Sequence, residues 1–82
     1  MQEKIKKIRL AIDKIDEKIL KLLRKRAFNV DKIAQLKAKN NMPVTDTDRE
    51  KDILSKTKNK SEEEIFKKIL EKSKNQQNKA LL

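Results

Sequence analysis

The stretch Ile5-Lys6-Lys7-Ile8-Arg9-Leu10-Ala11-Ile12-Asp13-Lys14-Ile15-Asp16-Glu17-Lys18-Ile19-Leu20-Lys21-Leu22 carries an apolar residue at positions 5, 8, 12, 15, 19 and 22. The steps alternate between three and four, the a/d spacing of a heptad repeat. In phase, the series continues through Arg26, Asn29, Ile33 and Leu36, and nothing interrupts it before Asn40-Asn41-Met42-Pro43. Asn accepts the left-handed conformation that closes helices, and Pro43 cannot extend one. The spacing predicts one helix over about residues 3–40, roughly 55 Å long at 1.5 Å per residue. That is too long for a free-standing helix in so small a globule.

Outward from this segment, Leu20, Leu23, Ala27 and Val30 widen the apolar stripe, which implies contact with more than one neighbouring helix. Thr47-Asp48-Arg49-Glu50 has the spacing of a capping box, predicting a second helix over about 47–57 that buries Ile53 and Leu54. Ser61-Glu62-Glu63-Glu64 repeats the pattern, with acids in the first turn favoured by the helix dipole. The third helix, about 61–78, carries Ile65, Phe66, Ile69 and Leu70 at helical spacing. No strand candidate, internal repeat or linker is present. The expectation is a single all-α domain over residues 1–82, one long helix and two short ones.

The composition narrows the chemistry. The 82 residues hold 23 bases against 13 acids, a formal charge of +10, with no Cys, His, Gly, Trp or Tyr. Without Cys there are no disulfides, thiolate metal sites or cysteine nucleophiles. Without His the commonest general base and metal ligand is missing. Without Gly, phosphate-binding glycine loops are excluded. The two Phe leave little for stacking bases, which argues against binding single-stranded nucleic acid. The N-terminus has no apolar signal region and no run approaches a membrane span, so a cytoplasmic protein with no membrane partner is expected. A chain this short is marginal alone and gains from a partner.

The informative residues are polar ones inside apolar stripes. Arg26 takes an a position after five Ile and a Leu, either as a register-setting coiled-coil residue or as a ligand-binding cation. Lys37 lies eleven residues on, within about 20° of the same face and roughly 16 Å along the axis. Two long cations so spaced could close on a small anion between them. Arg9 is about 26 Å from Arg26 and near 100° round the helix, so it cannot join them within one chain. In an antiparallel pair centred near residue 21, however, the partner's Arg9 falls between Arg26 and Lys37.

Elsewhere, the stripe Phe66, Leu70 continues into Ser73 and Gln77, either a fraying amphipathic end or a wall of neutral hydrogen-bonding groups. Asp46 and Glu50 share a face with Arg49 beside them, as capping residues or as a polar site. Usage of arginine is selective. There are nineteen Lys and four Arg, and Arg9, Arg26 and Arg49 occupy these special positions. The planar guanidinium suits bidentate carboxylate binding better than a point charge does.

Taken together, Ile8-Arg9, Ile12-Asp13, Ile15-Asp16, Ile19-Leu20, Leu22-Leu23, Arg26, Ile33-Ala34, Leu36-Lys37, Pro43-Val44, Asp46, Arg49-Glu50, Ser73 and Gln77 resemble the all-α, type II chorismate mutases over nearly the whole chain. The resemblance implies an intertwined homodimer of three-helix chains in which each active site takes an Arg from its neighbour. It implies that Arg26 and the partner's Arg9 bind the two carboxylates of chorismate. Lys37 would contact a carboxylate and the ether oxygen, and Gln77 the ether oxygen from the other side. Asp46 and Glu50 would hold the ring hydroxyl, with Arg49 and Ser73 completing the polar wall. The implied reaction is the unimolecular rearrangement of chorismate to prephenate in aromatic amino-acid biosynthesis, catalysed by Lys37, Gln77 and Arg26. It needs no metal and no cofactor, and no nucleic acid partner is expected.

Two other readings fit parts of the pattern. A non-enzymatic basic helical protein binding nucleic acid or an acidic partner fits the charge, but not the arginines inside apolar stripes. A pyruvate lyase acting on isochorismate would share the fold.

Overall fold

Three helices in order α1 (Gln2–Lys39), α2 (Thr47–Ser55) and α3 (Lys60–Ala80) make up the computed structural model, which describes residues 1–80. Among the described residues there is no strand, so the fold is all-α. α1 is unbroken because nothing in it removes a backbone donor or relaxes the chain. The single Pro lies beyond its end.

The stop after Lys39 is a Schellman motif. Asn41 adopts φ 53°, and the amides of Met42 and Asn41 return to the carbonyls of Lys37 and Ala38. Asn is the residue other than Gly that occupies this region most readily.

Both internal helix starts lie upstream of the expected caps. Asp46, not Thr47, caps α2: its backbone is extended and its side chain accepts from the Arg49 amide at 3.0 Å. An Asp and a Thr compete here for one role, and the aspartate, the stronger acceptor of the two, takes it. The shift leaves Glu50 one place too far along to close the box, and frees its carboxylate. In α3, Asn59 rather than Ser61 is the cap, accepting from the Glu62 amide at 2.8 Å. Glu62 reaches back to the Lys58 amide at 3.0 Å and to the Asn59 side chain at 3.1 Å. Asn59 and Glu62 repeat the cap-plus-three spacing two residues earlier than Ser61 and Glu64 do. α2 ends at Ser55, two residues short of the expected limit, and α3 runs on to Ala80.

α3 packs along the second half of α1, and α2 packs on α3. The buried apolar core among the described residues is Val30, Ala34 and Leu70. Ala34, 2% exposed, lets α3 approach closely. Ile53, Leu54 and Ile69 are half-buried, so α2 does not bury its apolar pair as fully as expected. Ile65 remains exposed and Phe66 is 37% exposed. Among the described residues, the first half of α1 is exposed throughout. Ile5, Ile8, Ile12, Ile15, Ile19 and Leu22 all lie open along one face.

The chain is accordingly extended, 58 × 23 × 15 Å with a radius of gyration of 16.6 Å. A compact domain of this length would have roughly 12 Å. Its surface is 7433 Å², whereas a folded monomer of this mass exposes roughly 5100 Å². No helix among the described residues is long and apolar enough to cross a membrane.

Candidate active site

The far end of α1, the start of α2 and the second half of α3 enclose a hollow of about 340 Å³. Its floor is apolar: Val30 and Ile33 from α1, Ile53 from α2, Leu70 from α3. Around that floor stand Arg26 and Lys37 of α1, Asp46, Arg49 and Glu50 of α2, and Ser73 and Gln77 of α3. Seven of the eight candidate residues therefore meet in one cavity. Arg9 does not. It sits on the open half of α1, exposed, and among the described residues no other helix covers it.

α3 supplies the neutral wall. Ser73 and Gln77 are buried, at 9% and 8% exposure, because their stripe continues the one that buries Leu70. The fraying-end interpretation of this segment is wrong: the helix is intact through both residues. Each buried polar group has a partner, as burial demands. Arg26 Nη1 donates to Ser73 Oγ, and Ser73 Oγ donates to the Ile69 carbonyl at 2.9 Å. Lys37 Nζ donates to Gln77 Oε1 at 3.2 Å and to the Val44 carbonyl at 2.8 Å. That second bond ties the loop before α2 to α1.

The Lys37–Gln77 contact fixes chemistry as well as position. Because Gln77 accepts through its oxygen, its amide NH₂ remains a donor. Lys37 uses two of its three protons within the chain. The two residues thus offer donors from adjacent helices at one end of the hollow. At the other end, burial, and secondarily the Arg49 guanidinium, hold Arg26 below the ordinary arginine range. Among the described residues Arg26 makes no ion pair, its bond being to a neutral hydroxyl. Bringing a carboxylate to such a cation relieves both penalties.

The acids are placed differently. Asp46 spends one oxygen on the α2 cap. Glu50 is paired with Lys74 Nζ at 3.1 Å, across from α2 to α3. Arg49 lines the cavity while its Nη1 lies 3.7 Å from Asp52 on the outer side of α2. Lys74 and Asn29 are cavity residues that sequence reasoning missed. Asn29 had a signal, being besides Arg26 the other polar member of the a/d series. Lys74 had none, since nineteen lysines make any single one unremarkable. A further clamp lies outside the hollow: Gln76 Nε2 donates to the Ala27 carbonyl at 2.8 Å and to Asp31 Oδ1 at 2.7 Å.

A family model described as chorismate mutase type II matches residues 8–78. A bifunctional chorismate mutase/prephenate dehydratase of Aquifex aeolicus is 43% identical over 54 residues, 66% of this chain and 15% of that protein. A chorismate mutase of Methanocaldococcus jannaschii is 43% identical over 51 residues, 62% of this chain and 52% of that protein. The chain thus aligns with about half the length of one relative and a small part of the other. No solved structure matches it significantly. The family match spans all eight candidate residues, Arg9 through Gln77, and the chain belongs to the type II chorismate mutase family.

Proposed function

We propose that this chain catalyses the rearrangement of chorismate to prephenate as a homodimer whose long helices run antiparallel through both subunits. The observation that carries the reading is the convergence of Arg26, Lys37, Arg49, Ser73 and Gln77 around a small hollow with an apolar floor. That combination suits a compact molecule with a hydrocarbon ring and two carboxylates.

The reaction breaks a C–O bond as a C–C bond forms within one molecule. No proton or electron need pass to the protein. The barrier then falls by two routes. Arg26, Lys37 and the partner's Arg9 hold the flexible dianion folded with its bond-forming carbons together, which removes an entropic part of the barrier. As the C–O bond lengthens, charge grows on the ether oxygen, and Lys37 and the Gln77 amide donate to it. Donors already aimed at developing charge are worth about 3 kcal/mol each. Glu50 and Asp46 accept from the ring hydroxyl, and Arg49 and Ser73 close the wall. The net positive field speeds capture of a dianion in a salt-dependent way.

The dimer is supported by surface. The seam of Ile5, Ile8, Ile12, Ile15, Ile19 and Leu22 is open in one chain. The excess of roughly 2300 Å² over a compact monomer is the size expected for one chain's share of an obligate interface. Loss of chorismate absorbance on adding the purified protein tests the activity, and light scattering tests the dimer. Turnover of isochorismate to pyruvate in place of chorismate turnover would assign the lyase instead. Neither reaction, with a dimer present, would defeat the catalytic reading.

A further inference from the structure

Resting on that proposed function, we infer that Lys74 is a positioning residue which neutralises Glu50 and so keeps its carboxylate from repelling a bound dianion. Five ion pairs are formed among the described residues, and four of them join side chains on one helix or its end. Those four have their carboxylate side chains 43–58% exposed. The Lys74–Glu50 pair alone crosses between elements, from α3 to α2, and its carboxylate is 23% exposed. It is also the shortest of the five, at 3.1 Å. Both members line the hollow. An ion pair on an open surface is worth little, but one at the wall of a partly dry cavity controls the field inside it.

The charge balance shows why this matters. Within one chain the cavity carries Arg26, Lys37, Arg49 and Lys74 against Asp46 and Glu50, a net +2. Without Lys74 it is +1, and the free Glu50 carboxylate faces an incoming dianion. Lys74 binds one carboxylate oxygen, Oε2, and so leaves Oε1 to accept a hydroxyl proton from the ligand. Glu50 then serves as a hydroxyl acceptor without repelling the carboxylates.

Steady-state kinetics on the wild type, Lys74→Gln, Glu50→Gln and the double variant test the inference. Lys74→Gln should raise KM for chorismate about tenfold with kcat changed less than threefold, the pattern of a lost field acting on the bound dianion. In the Glu50→Gln background Lys74 has no carboxylate to hold it at the wall and its ammonium turns to solvent, so the same change should cost less than about twofold. Lys74→Arg should restore KM to within about threefold of the wild type, since a cation is kept. Equal effects of Lys74→Gln in both backgrounds would mean that Lys74 acts on the ligand by its own charge rather than through Glu50, and would overturn the role. A change in kcat alone, or failure of Lys74→Arg to rescue, would do the same. A wild-type protein with no chorismate turnover defeats the proposed function first, and this inference with it, whereas an active wild type with additive variants defeats only the inference.

Discussion

Lys37 is held by the Val44 carbonyl and by Gln77 Oε1, so its ammonium cannot swing away from the cavity without breaking two bonds. A donor fixed in this way costs no reorganisation when charge appears on a neighbouring oxygen. Lys37→Ala should therefore lower kcat at least about 100-fold, the cost of removing one aimed donor. Single-turnover kinetics should place that loss in the chemical step. An effect confined to KM would remove Lys37 from catalysis. Across the cavity, burial and Arg49 lower the Arg26 pKa. The folded state thus disfavours the protonated form, and the stability this costs returns only as the pH rises through the folded value. Arginine stays charged well above neutrality, so that window lies far outside the working range. Gln77 does not titrate and the chain has no His. kcat should accordingly vary less than about twofold between pH 5 and 8. A sigmoidal or bell-shaped profile there would identify some other group as the donor.

At the scale of elements, the cavity depends on how α3 is seated against α1. Gln76 makes two bonds to α1, to the Ala27 carbonyl and to Asp31, on the helix side facing away from the hollow. Its neighbour Gln77 points inward. Gln76→Leu should cost about 1–2 kcal/mol, for two hydrogen bonds of which one has a charged acceptor, discounted for partial exposure. Urea denaturation at a fixed chain concentration measures this, and an unchanged midpoint would show that the clamp is idle. The start of α3 is set by Asn59. Asn59→Ala should lower stability by about 1 kcal/mol, the usual worth of such a cap, while Ser61→Ala should change it by less than half as much. The reverse order would restore Ser61 as the cap. Capping boxes at Thr47 and Ser61 were legible as spacing, yet the chain uses Asp46 and Asn59. Several residues in each segment satisfy the same local rule, and only the packed position of the helix chooses among them.

For the molecule as a whole, the decisive quantity is the surface that one chain leaves open. An apolar seam running from Ile5 to Leu22 without a neighbour is unfavourable in water at roughly 25 cal/mol per Å². Association of two chains along it would also bring the isolated Arg9 toward a second cavity. Mixing inactive Arg9→Ala and inactive Arg26→Ala chains should regenerate about one functional site per heterodimer. Recovered activity after verified subunit exchange should thus approach a quarter of the wild-type level, from half of the dimers with one site each. No recovery would place both arginines in the same subunit's site. The melting temperature should also rise with protein concentration, as mass action requires of a chain stabilised by association.

Periodicity alone determined three helices, their order and the apolar seam, because a helix needs only local spacing and local caps. It also singled out Arg26, Lys37, Ser73 and Gln77, since polar residues within an apolar stripe are visible in one dimension. Tertiary structure decided what lies far apart in sequence. Gln77 bonds Lys37 across forty positions, Gln76 seats α3 on α1, and Lys74 finds Glu50 on another helix. Among nineteen lysines, sequence offers no means of telling which one ends beside a carboxylate. That depends on the angle and translation between helices, which are set by how closely small residues such as Ala34 let the backbones approach.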